Sequence, residues 1–391
     1  MSTIFSRPVR HAGLVALAAT LACSIATWRP LDAIAEDYVR TTLRLAQHDP
    51  TLVEDWRGPQ AWRPGPRVPV AELQPGIDRL VHDLERAAID IGSSREYARV
   101  HYLLGQARAL QFAAARQRGR AASIDDQARE EFGVTFPPFD RAAAERARTA
   151  LSQTLPGVGA LKDRLLAHRQ HTEVPANRRQ EVLIEALASC RRATAAVLNL
   201  PPDESVSLVL GDPPLFDAFA RYRGNHRTEI EISGGPIDSA RAHRLACHEG
   251  YPGHHVQQLL IDRLYGERQW PELLLTPAFG PHLLYLEGAA EAGADLVLEY
   301  TPVDRLVQDL LPVVTDVARQ YLDGALSRES AVERLAHEAL LPNPDGMLAF
   351  IEQRRARALV YVEGRRLVYE KLQTKNLAGL YQAFRSVAAI E

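Results

Sequence analysis

A mainly α-helical chain, with one short β-strand beside its most chemically dense helix, is what the sequence predicts. Apolar residues recur at near-helical spacing from Leu31 onward. Proline and glycine clusters separate the periodic runs, and convincing polar/apolar alternation occurs at 227–233.

The first helix is expected over Ala33–Gln47, where Ile34, Tyr38, Leu43 and Leu45 mark one face. Gly58–Gly76 reads as a proline-rich connection. Ala/Arg/Leu-rich helices follow over Ile77–Arg118 and Phe139–His168, the second interrupted at Pro156-Gly157, and another over Asn177–Leu198, closed by Pro201-Pro202. Arg227–Ser233 alternates as a strand and stops at Gly234-Gly235-Pro236. Asp238 then caps a helix expected over Ser239–Tyr251. Further helices are expected over Pro281–Glu299 and, as one long region, Pro344–Leu372.

The 391 residues are 46% hydrophobic and 24% charged, enough for a large core and against wholesale disorder. A net charge of −3 argues against a nucleic-acid binder, whose footprint is strongly basic. The three cysteines, Cys23, Cys190 and Cys247, form no CxxC pair, so neither a Cys-type zinc finger nor a disulfide scaffold is indicated. Cys247 reads as a small apolar core residue. Residues 1–26 resemble an export leader: Arg7 and Arg10, an apolar run from Ala12 to Ala26, and Ser24-Ile25-Ala26 as a cleavage site. That run is too short to span a bilayer comfortably. Export is expected, with lipid attachment at Cys23 or an ordinary first helix in a cytoplasmic protein as alternatives. Residues 27–391 are then read as one helical catalytic domain.

The stretch His248-Glu249-Gly250-Tyr251-Pro252-Gly253-His254-His255 carries the chemistry. Imidazole nitrogen and carboxylate oxygen are zinc ligands, and a catalytic site leaves one position to water. The common zincin motif sets two His four residues apart with Glu after the first as base. Here the fourth position after His248 is Pro252, which cannot ligate and cannot continue the helix. A break there can return a later imidazole to the metal: His254 if the chain bulges, His255 if straight-helix phasing persists. His254 is preferred because Gly253-His254 preserves a common zincin ending. Downstream, Glu287 and Glu291 are one helical turn apart on one face.

Together the motif resembles the signature of the bacterial domain-of-unknown-function family 885, a group related to helical zincin metallopeptidases. Glu287-Gly288 is similar to the start of that family's second motif. Ala358-Leu359-Val360-Tyr361-Val362-Glu363-Gly364 is similar to its carboxy-terminal Ala-Leu-x-Tyr-x-x-Gly pattern, and Asp37–Pro50 to the opening of its shorter members. The resemblance spans about residues 33–372. Departures are Ala289 and Ala294, where an aromatic and a second Glu are usual, and Arg357, where a Gln is usual.

The resemblance implies a zincin-like helical metallohydrolase holding Zn²⁺ through His248, His254 and Glu287. Glu291 would hold a ligating imidazole by hydrogen bond, Glu249 would act as general base, and Tyr361 or Arg357 would stabilise the oxyanion. The expected substrate is a peptide or small amide, and strand 227–233 is expected to hold it by edge pairing. A zinc-binding homologue without turnover is the alternative; an intact Glu249 beside His248 argues against it.

Overall fold

The computed structural model describes residues 29–90, 96–211, 218–372 and 376–385. The leader expected over residues 1–26, Cys23 included, lies outside these. The described chain is mainly helical, as the periodicity predicts. Among the described residues, no helix is long and apolar enough to cross a membrane.

Three amino-terminal helices, α1 (Leu31–Ala46), α2 (Val70–Asp90) and α3 (Tyr97–Gln117), pack on one another. Their shared core includes Tyr38, Leu45, Leu80, Leu84, Leu103 and Leu110. Between α1 and α2 lies the short strand β1 (Val53–Trp56). Helices α4 (Ile124–Phe132), α5 (Arg141–Thr154), α6 (Leu161–His171) and α7 (Arg179–Ala195) follow, with the expected interruption at Pro156-Gly157 separating α5 from α6.

The strand predicted at 227–233 is present with the predicted bounds, but it has company. Strands β2 (Ser205–Gly211), β3 (Ala218–Gly224) and β4 (Arg227–Ser233) form a sheet ordered β2-β4-β3. β2 runs parallel and β3 antiparallel to β4. β4 therefore has no free edge, which corrects the expectation that it pairs with an extended substrate; the outer strands are β2 and β3. Alternation still decides its faces: Thr228, Ile230 and Ile232 point inward.

Helix α8 (Ser239–Glu249) is capped by Asp238, whose carboxylate accepts the Arg241 N–H at 2.8 Å. Helix α9 (His254–Arg268), strand β5 (Leu275–Pro277) and helix α10 (Gly280–Val297) come next. β5 pairs antiparallel with β1, joining the amino-terminal helices to the segment that leads into α10. Seven-residue α11 (Pro302–Gln308), α12 (Pro312–Leu322) and α13 (Arg328–His337) complete one side of the core. The expected last long helix is two helices, α14 (Pro344–Arg354) and α15 (Val360–Lys371), joined by a short 3₁₀ turn at Arg355–Leu359. The break occurs at Arg355, whose φ of 52° is left-handed. Helix α16 (Leu377–Arg385) closes the described chain.

The cysteine reading is corrected here. Cys190 on α7 and Cys247 on α8 form a disulfide across 57 residues of sequence. Their pairing depends on α7 lying against α8, a tertiary fact that cysteine spacing alone does not carry. Closing a loop of that length restricts the unfolded chain by about 4 kcal/mol on the entropic model.

Helix α10 is apolar around nearly its whole circumference, the pattern of a buried helix. Leu283 and Leu284 feed one hydrophobic cluster, Ala289, Ala292 and Ala294 another. Its contact with α15 is set by two glycines. A Cβ on Gly288 would stand 2.2 Å from the Gly364 carbonyl carbon, and one on Gly364 would stand 2.3 Å from the Leu284 carbonyl oxygen. Backbone thus rests on backbone, which fixes where Glu287 and Tyr361 meet. Gly364→Ala should force α15 away from α10 and lower stability by about 1–3 kcal/mol, the usual range for overpacking. Chemical denaturation reads this directly; an unchanged midpoint would mean that the close approach is dispensable.

Candidate metal centre

Proline at 252 has the predicted consequence. Helix α8 stops at Glu249, the Tyr251–Pro252 peptide is cis, and α9 restarts at His254. The Gly253 N–H donates back to the Cys247 carbonyl at 3.1 Å, closing the reversal. A Cβ on Gly253 would lie 1.6 Å from the His248 carbonyl oxygen, so a side chain here would block the turn. The two imidazoles end edge to face, with ring centroids 4.8 Å apart.

Glu287, projecting from α10, completes the group. Its Oε2 lies 3.2 Å from His248 Nε2 and 3.4 Å from His254 Nε2. One ligand atom from each of the three residues falls within 4.8 Å of the other two. Bonds of about 2.0–2.1 Å to a tetrahedral zinc would separate neighbouring donor atoms by about 3.3 Å. The two carboxylate-to-imidazole spacings match edges of such a polyhedron. Glu287 Oε2 is buried and faces both imidazole nitrogens, as an oxygen shared with a cation would.

The electrostatics agree. Burial alone would raise the Glu287 carboxyl, but the charges and hydrogen bonding of His254 and His248 hold it down at about 2. Burial alone would lower His254, but Glu287 and Glu249 lift it to about 10. A divalent cation binding here would compete with the His254 proton and release it.

Each imidazole is oriented from behind. His248 Nδ1 lies 3.2 Å from Glu291 Oε1, and Glu291 is ion-paired with Arg244. Arg244 also reaches Asp295 at 3.2 Å and the Tyr300 hydroxyl at 2.6 Å, and Asp295 is held in turn by Arg365. An Nδ1–H facing Glu291 leaves the Nε2 lone pair aimed at Glu287. Gln257 does the same for His254. Its Oε1 lies 2.9 Å from His254 Nδ1, while its amide nitrogen donates to the Leu286 carbonyl at 2.8 Å. Sequence reasoning singled out Glu291 but missed Arg244 and Gln257. Gln257 stands one turn after Gly253-His254 on the α9 face, and that spacing was the available signal.

His255, the alternative ligand, is turned elsewhere. It is fully buried, with Nδ1 2.8 Å from Thr228 Oγ1 and Nε2 3.0 Å from Glu204 Oε2. Glu204 also accepts from Tyr251 and Arg191. Burial would raise its carboxyl, but these hydrogen bonds bring it down to about 2. The structure thus places His254, rather than His255, with His248 and Glu287.

Glu249 is buried on the wall of the same cleft, close enough for its charge to act on His254 and Tyr361. Tyr361 lines the cleft with its ring centroid 6.2 Å from that of His248. Burial, together with the nearby Glu287, Glu54 and Glu249 charges, pushes its phenol well above the usual range. It therefore stays protonated and able to donate. Arg357 is a correction: its Nε donates to Glu131 Oε1 at 2.6 Å, and it is not among the cleft-lining residues. Arg357 lies in the 3₁₀ turn Arg355–Leu359, whereas Tyr361 lies in α15.

The cleft has a volume of about 1780 Å³ and is lined by β3, by α8 and by parts of α10, α14 and α15. Comparison with protein-family models and with curated proteins finds no match to the chain.

Replacing the two adjacent histidines separately should have different effects. His254→Ala should abolish uptake of a divalent transition metal, while His255→Ala should keep the metal group but lower the melting temperature, since it strips a partner from buried Glu204. Metal content by mass spectrometry and thermal melting read the two arms. Metal loss confined to His255→Ala would reverse the assignment.

Proposed function

We propose that the protein is a zinc-dependent hydrolase, a metallopeptidase acting on short peptides or related amides. The observation that carries this reading is the convergence of His248, His254 and Glu287 at donor spacings of 3.2 and 3.4 Å, beside buried Glu249. A site built only to hold a metal needs no carboxylate base, and this cleft offers one next to its first imidazole.

When bound, zinc would acidify a water and polarise the scissile carbonyl. His248, His254 and Glu287 would hold it. Glu249 takes the proton from the attacking water and delivers it to the leaving nitrogen. Tyr361, protonated throughout, donates its O–H to the oxygen on which negative charge develops. Glu291, fixed by Arg244, keeps His248 in the tautomer that presents Nε2. Among the described residues β3 has an unpaired edge along the cleft wall, where an extended peptide can add as a strand.

The resemblance to family 885 belongs to this proposal. Two of its segments that are separate in sequence, Glu287-Gly288 and the one ending at Gly364, touch at the glycine contact of α10 and α15. Export is part of the reading as well, since disulfides such as Cys190–Cys247 persist in oxidising compartments.

Elemental analysis of purified protein should find one zinc per chain, and a peptide and ester screen should find hydrolysis. Glu249→Gln should keep the zinc and lower turnover by about 10²–10⁴-fold, the usual worth of a general base. Turnover equal to the parent's would remove Glu249 from the mechanism; loss of zinc in this variant would reassign it as a ligand or a support.

A further inference from the structure

Strand β1 carries a carboxylate that the metal group does not use. Its register against β5 slips by one between Val53, opposite Pro277, and Asp55, opposite Thr276, leaving Glu54 as the extra residue of a bulge. Bulges turn a side chain out of the alternating pattern and are frequent beside active sites. Here Glu54 faces the cleft, together with Thr276 and Pro277 of the partner strand. Although its side chain is exposed to the cleft, it is ringed by protein, and the charges acting on it most are those of Glu287, His254, Arg354 and Glu249. It therefore shares the cleft with His248, His254 and Glu287.

Its neighbour Asp55 already has partners: it accepts the Trp56 N–H at 2.9 Å and lies 3.9 Å from Arg57. Glu54 makes neither a hydrogen bond nor an ion pair among the described residues. Glu54 thus lies in an acidic part of the cleft, beside Glu287 and Glu249. The wider lining points the same way, since acidic side chains outnumber the arginines Arg169, Arg221, Arg241 and Arg244. A zinc ion's two positive charges would be matched by Glu287 and Glu249. Glu54 then adds a further anion to the inner cleft, on which the Arg354 charge also acts.

We propose that Glu54 is the substrate-recognition carboxylate of this site and receives a protonated amine of the substrate next to the scissile bond. The inference rests on the peptidase reading and narrows it to cationic substrates. The amine has two sources, the α-ammonium at a peptide's amino terminus or a lysine-type side chain. The first would make the enzyme an aminopeptidase, because an anchored α-ammonium fixes the bond to be cut one residue away.

Calorimetric titration of zinc-loaded full-length protein with three probes separates these possibilities: leucine amide, N-acetyl-leucine amide and N-acetyl-lysine amide. At least one cationic probe should bind about 10- to 100-fold more tightly than neutral N-acetyl-leucine amide, the worth of one charge-assisted hydrogen bond. Preference for leucine amide assigns the α-ammonium; preference for N-acetyl-lysine amide assigns the side chain. Glu54→Gln should erase the preference without changing zinc content, and Glu54→Asp, which keeps the charge, should retain part of it; thermal melting checks that each variant is folded. Equal binding of all three probes, absence of binding, or a preference that survives in Glu54→Gln overturns the proposal. Because the titration needs no turnover, amine binding through Glu54 in a protein that cleaves no peptide would sink the hydrolase reading alone.

Discussion

Everything at the candidate centre depends on a helix being stopped at the right place. A continuous helix from Ser239 through residue 255 would carry His254 and His255 well beyond His248 along the axis. Pro252 has no N–H to donate to the His248 carbonyl and its ring clashes with that oxygen. The Gly253 N–H instead reaches the Cys247 carbonyl, and the chain doubles back within four residues, Gly250 to Gly253. The constraint is steric and reciprocal: proline forbids the helix, and glycine alone fits the reversal, because any Cβ at position 253 would enter the His248 carbonyl.

The reversal supplies two imidazoles; the third donor comes from α10, and its position is a packing result. Glu287 is held where it is because Gly288 lets α10 rest on the backbone of α15 at Gly364. Burying a carboxylate this deeply is costly unless cations or imidazoles surround it. The cost is offset by the two imidazoles, and His248 is backed by a chain of ion pairs that runs from Glu291 through Arg244 and Asp295 to Arg365. Glu291, Arg244 and Asp295 each face two charged or polar neighbours, an arrangement that helps to keep a ligand's lone pair on target.

Much of this was legible in the sequence, and the failures share a cause. Helix periodicity, the Asp238 cap, the strand at 227–233 and the break at Pro252 are local effects, and local patterns reveal them. The His/His/Glu group was legible as well, through ligand chemistry joined to the helix break. Pairing partners were not. β2 and β3 hold few strongly β-forming residues in clean alternation, and they become strands because β4 lies between them. The Cys190–Cys247 bond and the Arg357–Glu131 pair likewise follow from which helices pack together. Glu54 was invisible for a different reason: a one-residue register slip decides where it points, and that slip exists only in the pairing of β1 with β5.

The adjacent histidines at the start of α9 show how one helical step divides labour. Consecutive residues project about 100° apart on a helix. His254 therefore faces α10, where Gln257 and Glu287 meet it, and His255 faces the sheet, where Thr228 and Glu204 meet it. Glu204 also binds Tyr251, the residue before Pro252, so His255 and the reversal are fastened to the same carboxylate. The turn that presents His254 to Glu287 is thus held from its other side by His255. The pair Pro252-Gly253 and the pair His254-His255 thus act as one device: the first bends the chain, and the second fixes the bend on one face and uses it on the other.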